Sequence, residues 1–565
     1  MPKPLPPQAL PNIARAVEDA LMLHRQGRLA EAEKIYMRVL KALPDHFDAL
    51  HLLGMIRLQN GKAGEAYRLI AAALKINPRS ADALSNLGLV LHALKRDTDA
   101  LASFDKALAL VPDHADALNN RGNVLLNLKR PPEALACFDR VLALNPRHHD
   151  ARVNRANALT ELARSEEAIA EFDAALAAFP GDAIAHFNRG NALLNLRRHA
   201  EAIAAYDKAL AISPEHATAL NNRGLARQTL NQHQEALADY AKAIALRKDD
   251  ADAHFNHALA LLTTGDYRRG FAEYEWRWKR TGMPPRRSSG KPLWLGEYPL
   301  RGKTILLQSE QGMGDTILFA RYVPLLAQAG AKVVLEVQTE LKPLLSHLEG
   351  VTSVVARGEP LPPFDVQCPM GSLPLAFKTE LAGIPVGALG LRASQDRIEK
   401  WRPRLDQLAR PRIAIAWAGN PAQPNDRNRS MPLPAFQPLL SAEARFVSIQ
   451  RDLRAGNAEW LAREPRITHV GGELDDFADT AAVIALVDLV ISVDTSVAHL
   501  PAAMGTPLWV LLAYSPDWRW TFDRETSPWF PAARLFRQGA PGDWDGVIAH
   551  VRAELKRGIA PAGTA

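Results

Sequence analysis

Residues 113–146 read DHADALNNRGNVLLNLKRPPEALACFDRVLALNP, and this stretch decides the fold of the first half because the chain repeats it at steps of 34. A small residue stands at Ala20, Gly54, Gly88, Gly122, Ala156, Gly190, Gly224 and Ala258. Twelve positions on comes a second small residue, at Ala32, Ala66, Ala100, Ala134, Ala168, Ala202, Ala236 and Gly270. Four further on sits a large one, at Tyr36, Ile70, Phe104, Phe138, Phe172, Tyr206, Tyr240 and Tyr274. Prolines close six units at Pro44, Pro78, Pro112, Pro146, Pro180 and Pro214. A fixed period of this length marks a stack of identical supersecondary units.

Each register has a mechanical reason. The small residues let two helices of a hairpin approach closely, and the ring is expected to fill the space between neighbouring hairpins. Proline cannot continue a helix, so it marks the turn into the next unit. The pattern resembles the tetratricopeptide repeat (TPR), with eight helical hairpins over residues 13–284, a superhelix built to hold another polypeptide.

One further register is not needed for folding. Asparagine recurs at Asn86, Asn120, Asn154, Asn188, Asn222 and Asn256, on the first helix of each hairpin. It is a mediocre helix former, but its amide donates and accepts at once and can hold an extended peptide backbone. The ladder resembles the one lining the groove of the O-linked N-acetylglucosamine transferases, which implies a polypeptide ligand. The other reading is that these amides only bond neighbouring repeats. Arg121, Arg155, Arg189 and Arg223 follow the asparagines, and either charge the groove or pair with acidic residues of adjacent repeats.

The bulk composition narrows the class. A net charge of +6 spread over 565 residues, without basic blocks, does not argue for nucleic acid. Two cysteines, Cys137 and Cys368, exclude a disulfide framework and a thiolate zinc site. The proline-rich start has no signal-peptide core, and the most apolar stretch, 483–493, is too short to span a bilayer. The expectation is a cytoplasmic protein with no transmembrane segment.

After Tyr274 the repeat decays. Trp276, Trp278 and Trp294 flank a polar, proline-containing stretch, read as a linker with docking aromatics. From Lys303 short β-branched runs alternate with helical segments, which argues for parallel doubly wound sheets. The fold class is therefore α plus α/β. The expected domains are a disordered tail 1–12, repeats 13–284, a linker 285–300, a first lobe 301–395, an inter-lobe linker 396–411, a second lobe 412–556 and a tail 557–565.

Two motifs stand at strand ends, where such sheets bind ligands. The strand 303–308 runs into Glu310-Gln311-Gly312-Met313-Gly314-Asp315, which is neither a P-loop nor a full dinucleotide fingerprint. It presents a carboxylate at a helix start, which serves as a helix cap or as a catalyst. The strand 489–493 leads into Asp494-Thr495-Ser496-Val497-Ala498-His499, a helix start suited to a pyrophosphate.

These blocks, with Gly505-Thr506-Pro507, resemble the family 9, heptosyltransferase-like glycosyltransferases over residues 300–555. The resemblance implies the two-lobed GT-B fold with two Rossmann-like domains. Fusion of such a domain to TPR hairpins, through a junction like Tyr274-Glu275-Trp276-Arg277-Trp278, resembles bacterial TPR glycosyltransferases, some of which modify flagellins. It implies Asp315 as the base, with Gly312 and Gly314 forming its loop. Asp494 would contact the donor sugar, and Thr495 and Ser496 the diphosphate. Arg429, in Asn425-Asp426-Arg427-Asn428-Arg429-Ser430, stands where the family has a lysine facing the phosphates, with Arg427 as rival and Ser430 beside it. His499 either faces the donor or only packs within its helix.

The stretch Thr316-Ile317-Leu318-Phe319-Ala320-Arg321 departs from the family, so a lipopolysaccharide acceptor is not expected. The aromatic segment Pro516-Asp517-Trp518-Arg519-Trp520, with Trp529 and Phe530, reads as a base-stacking wall or a clamp between lobes. The expected activity is inverting, metal-independent transfer of a sugar from a nucleotide-sugar, the co-substrate, to a Ser or Thr hydroxyl of a polypeptide, with no cofactor. Transfer to a polysaccharide or lipid-linked glycan, and a non-catalytic scaffold, are the alternatives.

Overall fold

The computed structural model of the chain describes residues 9–283, 285–287, 290–386, 389–423 and 425–558. It divides into two compact units, Met1–Pro214 and Glu215–Ala565.

The first unit is a run of helical hairpins, from Ala9–Arg25 paired with Leu29–Ala42 through Ala183–Asn195 paired with His199–Ile212. The ring register has a sharper role than expected. A Cβ added to Gly88 would lie 2.5 Å from the Phe104 ring, and one on Gly122 as close to Phe138. The ring therefore fills the gap inside its own hairpin, against the glycine sixteen residues earlier. Two further 34-residue registers hold the helix ends. His46, Ser80, His114, His148 and Asp182 each cap a first helix by accepting from the amide three residues on. Gly27, Gly61, Lys95, Lys129, Ala163 and Arg197 take the left-handed conformation that reverses the chain between helices.

The second unit opens with two more hairpins, Ala217–Thr229 with His233–Leu246 and Ala251–Thr263 with Tyr267–Tyr274. The expected boundary at 284 is not where the compact units part. Tyr267, Phe271 and Tyr274 belong to the same buried cluster as Trp294, Trp518 and Trp529 of the α/β part. Tyr267 and Phe271 meet the Trp529 ring edge-on at 5.6 and 6.0 Å. The last hairpin thus has no separate core.

The first lobe is a parallel sheet of β1 (Thr304–Gln308), β2 (Lys332–Val337), β3 (Val351–Ala356) and β4 (Val366–Pro369), in the order β3-β2-β1-β4. The second holds β5 (Arg412–Ala416), β6 (Arg445–Ser448), β7 (Ile467–His469), β8 (Leu489–Val493), β9 (Leu508–Leu512) and β10 (Ala533–Arg537). Its order, β10-β9-β8-β5-β6-β7, is that of a Rossmann sheet, with its reversal between β5 and β8. Both lobes thus place their switch points where the sequence motifs lie.

Several boundaries differ from expectation. The first helix begins at Ala9, inside the expected tail 1–12, and residues 1–8 and 559–565 lie outside the described residues. The expected inter-lobe linker 396–411 is largely a helix, Gln395–Leu405, with Trp401 and Leu405 buried. Within the linker 285–300, Leu293 bridges to Gln367 beside β4, so its end is docked onto the first sheet. After β1 the chain forms the helix Met313–Phe319, a short turn Ala320–Tyr322 and a second helix Val323–Gln328, with Pro324 in its first turn.

Candidate active site

The site forms where β5 and β8 diverge. After β8, Thr495 precedes the helix Ser496–Met504 with extended backbone and no side-chain cap, so no side chain occupies its first amides. Such an end is ready for an anion. Asp494 sits just before it. Burial, and Asp517 facing it, push its carboxyl up to about 6 against the pull of the Trp520 indole and of Arg429 and Arg519.

At the end of β5, Gly419 seats Arg429. A Cβ at Gly419 would come within 2.6 Å of the guanidinium, so only glycine leaves the arginine its place. The Arg429 Nε is buried without a hydrogen bond, and Asp426 stays 3.8 Å away. Arg427 is exposed on the same short helix, so Arg429 is the one that faces Asp494. Ser430 is engaged within its loop: its hydroxyl accepts from the Gly419 amide at 3.0 Å and donates to Asp426 at 2.7 Å.

The first lobe supplies Asp315. It is the third residue of the helix Met313–Phe319, and its carboxylate takes part in the helix cap by accepting from the amide of Gly312, the capping position, at 3.2 Å. Gly314 has another purpose. A Cβ there would lie 3.2 Å from the Ser496 Cα and 3.4 Å from the His499 ring. The glycine therefore lets Met313–Phe319 lie directly on Ser496–Met504, and this contact carries Asp315 to the second lobe.

There Asp315 pairs with Arg519, a residue not assigned a role from sequence. Arg519 also bonds Asp517 at 2.5 Å and lies over the Trp518 ring, 4.5 Å from its centroid. Burial raises the Asp315 carboxyl, and Arg519 counters it. The arginine is itself driven well above its ordinary value: burial works against its charge, but Asp315 and Asp517 outweigh it. The spacing Asp517-x-Arg519 was the available signal, two opposite charges inside a run of tryptophans.

The aromatic segment is not an open stacking wall. Trp518, Trp520, Trp529 and Phe530 are all buried, and Arg321 of the first lobe donates to the Trp529 carbonyl at 2.7 Å. His499 is packed edge-on against Trp520 and Phe530, at 5.6 and 5.1 Å. Burial, then Arg519 and Arg321, hold it well below its ordinary value and neutral.

The structure brings Gly314, Asp315, Arg429, Asp494, Ser496 and His499 into one region. Of the asparagine ladder, Asn86, Asn120, Asn154 and Asn188 belong to the first unit and Asn222 and Asn256 to the second. All six are half-buried. Asn86 bonds His51 of the preceding repeat at 2.8 Å, Asn154 bonds Asn119 at 3.1 Å and Asn256 bonds Asn221 at 3.0 Å. In the second unit, Asn222 and Asn256 line a cavity of about 920 Å³ together with Arg247 and Lys279. The arginines that follow the ladder are paired: Arg121 with Asp105, Arg155 with Asp139, Arg189 with Asp173 and Arg223 with Asp239.

Fold and site together define a TPR array joined to a heptosyltransferase-like domain of GT-B architecture. Models of the tetratricopeptide repeat match residues 79–146, 119–183, 153–217 and 229–265. The model of glycosyltransferase family 9 (heptosyltransferase) matches residues 443–539, the part of the second lobe that holds Asp494, His499 and Arg519. A model of anaphase-promoting complex subunit 3 matches residues 25–107. Protein FlbA of Caulobacter vibrioides is 27% identical over 291 residues, 46% of this chain and 48% of that protein. The match thus spans about half the length of that curated relative. Among solved structures, a tetratricopeptide repeat protein from Parabacteroides merdae is 22% identical over 44% of this chain and 98% of its own, with a TM-score of 0.37. YrrB, described as a TPR protein with an unusual peptide-binding site, is 26% identical over 33% of this chain and 95% of its own, with a TM-score of 0.28. Among the described residues no helix is long and apolar enough to cross a membrane.

Proposed function

We propose that the chain moves a sugar from a nucleotide-sugar to a Ser or Thr hydroxyl of a polypeptide held along the asparagine register, in the cytoplasm. The observation that carries this is the convergence of Asp315 on the uncapped start of Ser496–Met504, with Asp494 and Arg429 beside it. The amides at Ser496 and the Arg429 guanidinium would bind the donor diphosphate, and ionised Asp494 would accept from sugar hydroxyls. Asp315 would take the acceptor proton while the oxygen attacks the anomeric carbon. The bond from that carbon to phosphate breaks, its electron pair leaves with the diphosphate, and the configuration inverts. Charge growing on the phosphate is met by Arg429 and the helix end, so the residues need no metal.

The test is a thermal-shift screen with ADP-, GDP-, UDP- and CMP-sugars, followed by assay against Ser- and Thr-containing polypeptides, flagellin-like ones among them. A shift with one donor, lost in Arg429→Ala, supports the reading. No shift with any donor leaves the scaffold reading. One observation favours a saccharide acceptor as a second reading: Asn86, Asn154 and Asn256 already spend an amide on the preceding repeat and are less available to a polypeptide.

A further inference from the structure

The last ring of the repeat register carries a group that packing does not need. The register takes phenylalanine at Phe104, Phe138 and Phe172 and isoleucine at Ile70, so a hairpin asks only for apolar bulk there. At the eighth place stands Tyr274, 4% exposed, with Phe255 stacked on its ring at 5.5 Å and the Arg277 guanidinium over it at 4.8 Å. Its hydroxyl accepts from the Gln311 side-chain amide at 2.6 Å. A buried hydroxyl is costly to leave unpaired, and this one is paired with the loop that runs from β1 to Asp315. Burial pushes the phenol up to about 12, and the charges that act on it are Arg277, Asp315 and Arg519. Tyr274 is thus a neutral group set beside the ion pair of the site.

Arg277 follows on the turn Glu275–Lys279 and is 2% exposed. Its guanidinium bonds Glu310 at 2.8 Å, Glu275 at 2.6 Å and the Ser372 hydroxyl at 2.7 Å. Gly371 leaves the Glu310 carboxylate its place, since a Cβ there would lie 2.4 Å from it. From the other side, Gln338 donates to the Gln311 carbonyl at 2.9 Å and accepts from the Thr316 hydroxyl at 2.9 Å. Residues 310 and 311 are therefore gripped by the last hairpin and its turn. Gly312 passes the grip on, because its amide is the one that donates to Asp315. A small shift of this loop would take the amide off Asp315 and Asp315 off Arg519, and misplacement of a reacting group is costly in rate.

We infer that Tyr274 and Arg277 are positioning residues of the transferase: the last repeat holds the loop 310–312 and so sets the place of Asp315 against Arg519. That Asp315 is the base rests on the reaction proposed above; the hold on its loop does not. The last hairpin is then part of the transferase in function as well as in packing.

Tyr274→Phe tests this in the full chain. It removes only the hydroxyl, and a ring without one already serves at three other places of the register, so the variant should melt as the parent does. Hydrogen exchange followed by mass spectrometry should show residues 310–316 exchanging roughly fivefold faster, the weight of one hydrogen bond. For turnover of the donor found by the thermal-shift screen, kcat should fall roughly tenfold with the donor KM unchanged. The acid limb of kcat should move to higher pH, because the Gly312 amide that lowers the Asp315 carboxyl is loosened. A purely structural role would reduce the folded fraction and leave that limb in place. Arg277→Lys keeps the charge and loses the fork, and should act in the same direction. Gln311→Ala should reproduce Tyr274→Phe, and the double variant should be no worse than either. Tyr206→Phe, which breaks a hydroxyl bond to Asn191 at 2.7 Å, makes the same chemical change elsewhere and should alter neither loop exchange nor the acid limb. The inference is overturned if residues 310–316 exchange in Tyr274→Phe as in the parent, if kcat is unchanged, or if kcat falls while the acid limb stays. Should the parent turn nothing over, exchange alone decides. Faster exchange in Tyr274→Phe then upholds the hold on the loop and counts only against the transfer reaction, and unchanged exchange overturns it.

Discussion

At the scale of single residues, the site is a set of charges held where water would normally solvate them. Asp494 is the clearest case. A carboxyl near pH 6 is strained by being ionised in the fold, and it must be ionised to accept from a donor hydroxyl. Donor affinity should therefore rise with pH through about 6, as measured by calorimetry between pH 5 and 8. The stability sign is opposite. A carboxyl raised above its unfolded value stabilises the fold below that value, and the contribution is lost as pH rises through 6. Asp494→Asn should thus raise the melting temperature at pH 8 but not at pH 4, while abolishing the donor shift. A lower melting temperature at pH 8 would show that Asp494 holds structure instead. Arg519 makes a different prediction, because its fork spans Asp315 and Asp517. Lysine keeps the charge and loses the fork, so Arg519→Lys should lower kcat by roughly 100-fold with donor binding intact. Of these residues, Asp315 and Asp494 stood out in the sequence because glycines and hydroxyl residues flank them. Arg519 did not, since its role depends on Asp315, 204 positions away in the chain.

At the scale of elements, periodicity made the hairpins legible, and it reaches further than the small residues and rings. The left-handed turn register holds glycine at Gly27 and Gly61 but Ala163 at φ 58°. Arg164 and Ala163 donate back to Leu159 and Thr160, the bonds of a Schellman turn, which suits glycine. Ala163→Gly should raise stability by about 1 kcal/mol, read from urea titration. The helix Gln395–Leu405, by contrast, was illegible as a helix, because its Pro403 and its charges read as a linker. Tertiary contacts fix it. Burial would raise the Asp479 carboxyl, yet bonds from Lys400 at 2.8 Å, the Asp475 amide and Arg397 bring it down to about 2. A depressed carboxyl stabilises above its unfolded value, about 3.9, and the contribution disappears as pH falls through 2. Urea titrations should lose on the order of 2 kcal/mol between pH 4 and 2. Asp479→Asn should be flat across that window and weaker at pH 7. An unchanged slope would place the acid sensitivity in other carboxylates.

At the scale of the whole molecule, the repeat pattern and the compact units disagree about where the chain divides, and packing explains why. The pattern runs on to Tyr274, but the rings that complete its last hairpin are met by tryptophans more than 240 positions later in the sequence. Sequence spacing reports which helix a residue is on and says nothing of which core it shares. Each aromatic ring of this kind buries roughly 150–250 Å², worth about 4–6 kcal/mol as an upper bound. Cutting the chain at the expected boundary would expose the Trp518 and Trp529 faces that Tyr267 and Phe271 cover, and would remove Arg277 from Glu310. A fragment of residues 285–565 should therefore aggregate or melt without cooperativity. A fragment of residues 215–565, which keeps the last two hairpins, should be monodisperse by gel filtration and melt in a cooperative transition. It should also show the donor-induced shift of the full chain, because the residues around Asp494 are all present. If the shorter fragment folded and bound donor equally well, the last hairpin would be an appendage, and the junction Glu275-Trp276-Arg277-Trp278 would be a tether and not part of the transferase core.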